Sequence, residues 1–117
     1  NCVPYRYWRM VSEEKVSFVK ELVEDNKVVI FSKTFCPYCK ATLKTFDEAR
    51  LPVGLVRVLQ LDKLDDGSEI QDALYELNGQ KTVPSIYILK RHIGGNSELQ
   101  KLKHEGVLEF IMEAVVA

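Results

Sequence analysis

The sequence has no apolar run that approaches the roughly 18 residues needed to cross a bilayer. Its longest, around Val28–Phe31, has the length of a strand. Neither sign of charge is in excess. Sixteen basic side chains face seventeen acidic ones, for a net charge of −1, and the two signs are interspersed. The basic stripe that a nucleic-acid binder carries is therefore missing. Neither nucleic acid nor a membrane is an expected partner, and any partner must be met at a local site. No Asn-x-Ser/Thr sequon, internal repeat, linker or low-complexity stretch is present. Histidine is scarce: His92 and His104 lie too far apart for the usual His-x₃₋₅-His zinc pairing. Cysteine is scarce too, with three residues, an odd number placed unevenly. A disulfide-stapled secreted domain would carry an even set spread along the chain. Two neighbouring thiols at Cys36 and Cys39 fit a redox site in a reducing compartment better. The cytoplasm is the expected location, with an organelle as the alternative.

What remains is an ordinary globular composition, 46% hydrophobic and 28% charged over 117 residues, enough for one domain with a single core. Residues 1–10 stand apart because they are aromatic and basic, lack acid and show no period. They are expected to be a leader, a tag remnant or a disordered arm, with the domain spanning 11–117. Ser12-Glu13-Glu14 opens a helix whose inward face is Val16, Val19, Leu22 and Val23. Lys27–Ser32 is a β-branched run, as in a strand buried on both faces. A helix follows from Pro37, with Leu43, Phe46 and Ala49 along one side, and Leu55–Leu61 alternates as a second strand. This strand–helix–strand unit predicts parallel pairing. Asp65–Ser68 turns into a helix bearing Ile70, Ala73, Leu74 and Leu77, stopped at Asn78-Gly79. Ser85–Ile88 and a short His92-Ile93 are predicted strands, joined by a hairpin through Leu89-Lys90-Arg91 that lacks Asn-Gly turn chemistry. Gly94-Gly95 precedes a helix with Leu99 and Leu102. Gly106 separates it from a last helix with Val107, Leu108, Ile111 and Val115 inward.

The chemistry is concentrated in Thr34-Phe35-Cys36-Pro37-Tyr38-Cys39. Proline suits the first helical position, where its missing N–H would have no intrahelical partner. Cys36 is then the N-cap, with its sulfur beside unpaired N–H groups at the positive end of the helix dipole. A cysteine so placed has its pKa lowered from about 8.5 towards roughly 3.5–7.5. Cys39, three residues on, is on the same side and less exposed. The expectation is a nucleophile at Cys36 and a resolving thiol at Cys39. A zinc half-site or a pair of core cysteines are the bland alternatives; a helix-starting proline between the thiols disfavours both.

From Val11 onward the chain resembles the dithiol glutaredoxins. The resemblance rests on Lys33–Cys39, on Gly79-Gln80-Lys81-Thr82-Val83-Pro84, and on Gly94-Gly95-Asn96-Ser97-Glu98-Leu99. It implies an α/β, thioredoxin-like fold, a four-stranded mixed sheet with helices on both faces. It also implies glutathione-dependent reduction of protein disulfides and of protein–glutathione mixed disulfides, by a monomer with no tightly bound cofactor and glutathione as co-substrate. Lys33 and Gln71 match the groups that meet the glycine carboxylate, and Pro37 and Tyr38 line the groove. A lysine at a strand end, a helix residue at Tyr38 and a Ser68-x-x-Gln71 capping box are the plainer readings. Thr82-Val83-Pro84 matches the cis-proline segment, in which Val83 offers its N–H and C=O to the glutathione cysteine; the plainer reading is a loop entering a strand. Gly95 and Ser97 give helix-start N–H groups for the γ-glutamyl carboxylate. Glu98 stands where the family often has aspartate to pair with the ligand ammonium, and it also fits as a helix N-terminal acid.

Two other functions compete. A thioredoxin would carry Trp-Cys-Gly-Pro-Cys, against Phe35 and Pro37-Tyr38 here. A carrier of an iron–sulfur cluster shared between two subunits is disfavoured in this family by a proline after the first cysteine, which Pro37 supplies.

Overall fold

The structure, a computed structural model, describes residues 12–117. The expectations for residues 1–10, including Cys2, lie outside the described residues. In order the elements are α1 (Glu13–Asp25), β1 (Val28–Ser32), α2 (Pro37–Glu48), β2 (Val56–Gln60), a 3₁₀ turn (Leu61–Lys63), α3 (Gly67–Asn78), β3 (Ser85–Ile88), β4 (Arg91–Gly94), α4 (Asn96–His104) and α5 (Leu108–Val116).

The sheet has the order β2-β1-β3-β4. The β1–β2 pair is parallel, as the strand–helix–strand unit requires, while β1–β3 and β3–β4 are antiparallel. β1 is buried along its whole length. Its alternating side chains feed two cores, and this explains its uninterrupted β-branched run. Val29 and Phe31 pack with the inward faces of α1 and α3. Val28 and Ile30 pack with Phe46 of α2, Leu99 of α4, and Leu108, Met112 and Val115 of α5. The four-stranded mixed sheet with helices on both faces is as expected.

Several local expectations are corrected. Ala49 is the exposed C-cap of α2, and the buried row runs through Cys39, Thr42 and Phe46. Val107 is the N-cap of α5 and faces outward, with Met112 taking an inward place. Ser68-x-x-Gln71 does not form a capping box. α3 starts two residues earlier than that box would place it, at Gly67, with Asp66 as N-cap. The reason is packing: a Cβ at Gly67 would lie 1.9 Å from the Leu61 carbonyl oxygen, so only glycine fits the first turn against the 3₁₀ segment. The Asp66 carboxylate is engaged by Lys15 of α1 at 2.6 Å, which clips α1 to the start of α3.

The β3–β4 hairpin closes through two residues, with Arg91 already in the strand. Leu89 and Lys90 have φ of 50° and 71°, the left-handed pair of a type I′ turn without the usual Asn or Gly. The Leu89 N–H donates to the Lys27 carbonyl at 2.7 Å. The turn is thereby tied to the chain entering β1.

Candidate active site

The end of β1 delivers Lys33, Thr34 and Phe35 to the surface, and Pro37 then starts α2. Asp62 of the 3₁₀ turn holds this connection. One carboxylate oxygen accepts the Thr34 N–H at 3.0 Å, and the other accepts the Thr34 hydroxyl. The Thr34 hydroxyl bond, chiefly, holds the Asp62 carboxyl below the usual carboxylate range. Cys36 is the N-cap, as read from Pro37. Its sulfur accepts the Cys39 N–H at 3.2 Å, and its own N–H donates to the Lys33 carbonyl. A negative charge on Cys36 Sγ is met there by an N–H and by the positive end of α2.

The two thiols differ in exposure. Cys36 is partly exposed, whereas Cys39 is fully buried on the inner side of α2. Burial pushes the Cys39 thiol up to about 11, and the Cys36 sulfur adds to that; the Lys33 N–H and the Ser32 hydroxyl pull the other way. Phe35 and Tyr38, neighbours of Cys36 in the chain, are both 68% exposed.

Facing the thiols is the Thr82–Pro84 segment, where the Val83–Pro84 bond is cis. The Cys36 thiol points at the Val83 carbonyl, 3.8 Å away. Of the four carbonyls from Lys81 to Pro84, the other three accept from glutamine side chains. Gln71 Nε2 donates to Lys81 O at 2.7 Å. Gln80 Nε2 lies 3.1 Å from Thr82 O and 2.8 Å from Pro84 O. Gln71 is thus brought to the loop that borders the site, though by a contact the sequence did not suggest.

Gly94, Gly95, Ser97 and Glu98 lie beyond Pro84. Glu98 Oε1 accepts the Gly95 N–H at 2.7 Å, and this bond chiefly holds its carboxyl below the ordinary glutamate value. The carboxylate is folded over Gly94, whose φ of 118° and lack of a side chain permit it: a Cβ there would meet the Glu98 oxygen at 2.8 Å. Glu98 therefore acts here as the cap of its own helix, and Gly95 N–H is occupied by it.

Cys36, Cys39, Pro37, Tyr38 and Val83, all legible in the sequence, lie at one end of the sheet. Asp62, Gln80, His92 and Ser32 carry no site signal in the sequence. Asp62 and Thr34 are 28 residues apart, so spacing carried no signal for that pair. An open groove of about 780 Å³ lies elsewhere, between the C-terminal end of α2 and α5, and includes none of these residues.

A four-stranded mixed sheet that presents an N-cap cysteine, a buried partner thiol and a facing cis-proline defines a thiol–disulfide oxidoreductase of the thioredoxin-like class. Comparison with known proteins narrows this. The Glutaredoxin family model matches residues 28–93. The chain is 50% identical over 109 residues to Glutaredoxin-1 of Saccharomyces cerevisiae, covering 92% of this chain and 99% of that one. Among solved structures, the buckwheat glutaredoxin–glutathione complex superposes with a TM-score of 0.80 at 33% identity, over 89% of this chain and 96% of that one. Wheat glutaredoxin gives a TM-score of 0.83 at 35% identity, over 92% and 97%. The chain belongs to the glutaredoxin family. It is a glutathione-dependent thiol–disulfide oxidoreductase.

Proposed function

We propose that Cys36 is the attacking thiolate and that either Cys39 or free glutathione resolves the intermediate. With a glutathionylated protein, Cys36 Sγ attacks the glutathione sulfur. The old S–S bond breaks, the protein leaves as a thiolate that takes up a proton, and Cys36 retains the glutathione as a new mixed disulfide. A second glutathione thiolate attacks the glutathione sulfur of that bond, releasing glutathione disulfide and the Cys36 thiolate. With a protein disulfide, Cys36 forms a mixed disulfide with the substrate. Cys39 then attacks Cys36 Sγ, expelling the reduced protein as a thiolate that takes up a proton and leaving a Cys36–Cys39 disulfide, which two glutathione molecules reduce in turn with release of glutathione disulfide. The observation that carries this reading is the contrast between an accessible sulfur at the N-terminus of α2 and a buried one directly behind it.

Glutathione is read as lying across the groove between Tyr38 and Val83. Its cysteine pairs with the Val83 backbone, its glycine carboxylate lies towards Lys33 and Gln71, and its γ-glutamyl end towards Gly95, Ser97 and Glu98. Support comes from the Val83 carbonyl, which faces Cys36, while its neighbours on the loop are taken by Gln71 and Gln80. Pro37 and Thr82 border the same groove. Glu98 would reach the ligand ammonium through the carboxylate oxygen not bound to Gly95. Partners in this reading are glutathione and disulfide-bearing or glutathionylated proteins, acted on by a monomer. The cytoplasm fits a pair of reduced thiols.

The test is turnover of a small glutathione mixed disulfide with glutathione and glutathione reductase, run beside thioredoxin reductase as the alternative electron source. Turnover with the glutathione system alone is expected. Preference for thioredoxin reductase would overturn the reading.

A further inference from the structure

Gln80 occupies a junction that no step above requires. Its backbone N–H donates to the Asn78 side-chain oxygen at 2.8 Å, and Asn78 Nδ2 in turn donates to the Tyr87 hydroxyl, also at 2.8 Å. Tyr87 is buried in the core on the α1–α3 side, so the base of Gln80 is anchored to the sheet. From there its amide nitrogen reaches both carbonyls that flank Val83-Pro84, Thr82 O and Pro84 O, and also the Thr82 hydroxyl at 3.3 Å. An amide nitrogen surrounded by carbonyl oxygens fixes which way round the side chain lies. Its oxygen is therefore left to accept, and the atom that reaches it is His92 Nε2, at 2.8 Å.

This has a consequence for His92. To serve Gln80 Oε1 its Nε2 must carry the proton, which leaves Nδ1 as the nitrogen that titrates. The bond to Gln80 is then present whether the imidazole is neutral or charged. The ring is held over Tyr87, with centroids 5.2 Å apart. Gly95 closes the arrangement from the other side. A Cβ there would sit 3.4 Å from Pro84 O and 3.5 Å from Gln80 Nε2.

We propose that Gln80, oriented by His92, is a positioning residue for glutathione recognition: it fixes the Thr82–Pro84 backbone so that the Val83 carbonyl, alone of the four from Lys81 to Pro84 in accepting no glutamine amide, faces Cys36. The proposal rests on the reading that the glutathione cysteine docks on Val83. A loop held by two hydrogen bonds, one on each side of the docking residue, is pre-ordered, so binding does not have to order it. Without them the loop samples other arrangements, and affinity falls by the fraction of time the competent one is lost. Cys36 is the N-cap of α2 and meets Gln80 only through the Val83 carbonyl, 3.8 Å from its sulfur, so its intrinsic reactivity should depend on Gln80 far less than docking does.

The experiment compares wild type, Gln80→Leu, His92→Phe and the double variant. Leucine keeps the bulk of Gln80 without its amide, and phenylalanine keeps a ring over Tyr87 without the donor. Each is assayed for kcat and KM on a glutathionylated peptide with glutathione, and for the rate of Cys36 alkylation by iodoacetamide. Urea unfolding establishes that each is folded. Gln80→Leu is expected to raise KM about thirtyfold, the size of losing two ordinary hydrogen bonds. Its alkylation rate at Cys36 should stay within about twofold of wild type. His92→Phe should move KM the same way by less, and the double variant should be no worse than Gln80→Leu alone, because the two act through one contact. An unchanged KM in folded Gln80→Leu overturns the proposal, as does an equal loss in alkylation rate, which would mean general loosening, or full additivity in the double variant. A wild type that does not turn over the glutathionylated peptide sinks the docking reading first, and the proposal with it.

Discussion

The asymmetry between the two thiols can be put to a quantitative test by alkylation. Cys39 is fully buried, and its thiol is pushed up to about 11. At pH 7 only about one Cys39 in ten thousand would be a thiolate, the form that reacts. An ordinary exposed thiol of pKa near 8.5 is about 3% ionised at that pH. Ionisation alone should therefore make Cys39 roughly 300-fold slower than a model thiol, before burial slows it further. The assay uses a Cys2→Ser background, limiting iodoacetamide and peptide mass mapping. The reduced protein should acquire one adduct at pH 7, on Cys36. When Cys36 is replaced by serine, the remaining reaction at Cys39 should rise about tenfold per pH unit on the alkaline side and reach an ordinary thiol rate only on unfolding in urea. A Cys39 adduct forming first in the folded protein, or a Cys39 rate near that of a model thiol at pH 7, would refute the reasoning.

The division of labour predicts that Cys36→Ser abolishes every activity. Cys39→Ser should keep or raise turnover of glutathionylated peptides while losing activity on protein disulfides; retention of disulfide reduction by Cys39→Ser would contradict it. Leu99→Ala, at a fully buried site in the core beneath α2 and α5, should cost about 2–5 kcal/mol in urea unfolding with little change in the Cys36 alkylation rate. Gly67→Ala should lower the urea midpoint although alanine is the better helix former, since the new methyl meets the Leu61 carbonyl; a rise would show that the 3₁₀ turn gives way freely. Asp62→Ala should lower stability at pH 7. Because the Asp62 carboxyl is held below the usual range in the folded protein, its contribution is present above the ordinary aspartate value and lost as pH falls through the folded one. The gap between wild type and Asp62→Ala should therefore shrink below about pH 4, and a gap that widens on acidification would be the contrary result.

What could be read from the sequence was whatever a short stretch of chain decides by itself. The all-buried β1 showed as a β-branched run, and the N-cap at Cys36 followed from Pro37. The parallel β1–β2 pair followed from the length of the connection through α2. The misplaced residues sit at element ends. Ala49 and Val107 fit a helical period, yet each lies at a cap where the chain turns outward. The Leu89-Lys90 turn carried no Asn-Gly signal, because strand pairing and the bond to Lys27 hold two left-handed residues there. The supports of the site were out of reach for a different reason. Asp62 to Thr34 and Gln80 to His92 are contacts between separate elements, and neither residue type nor spacing distinguishes them from surface polar residues.

The division of the interior by β1 has a further meaning for how mutations would be felt. The thiols hang from one core, since Cys36 and Cys39 ride on α2, whose Phe46 packs with α4 and α5. The loop that faces them hangs from the other, since Gln71 and Asn78 ride on α3, whose Ile70, Ala73 and Leu74 pack with α1. The reacting sulfur and the Lys81–Pro84 loop that faces it are thus mounted on opposite sides of a single strand. Damage to the α1–α3 side should loosen the Lys81–Pro84 loop while sparing the thiol, and damage to the α2–α5 side should disturb the thiol together with the start of α4. The placing of the loop and the reactivity of the thiol can therefore vary separately.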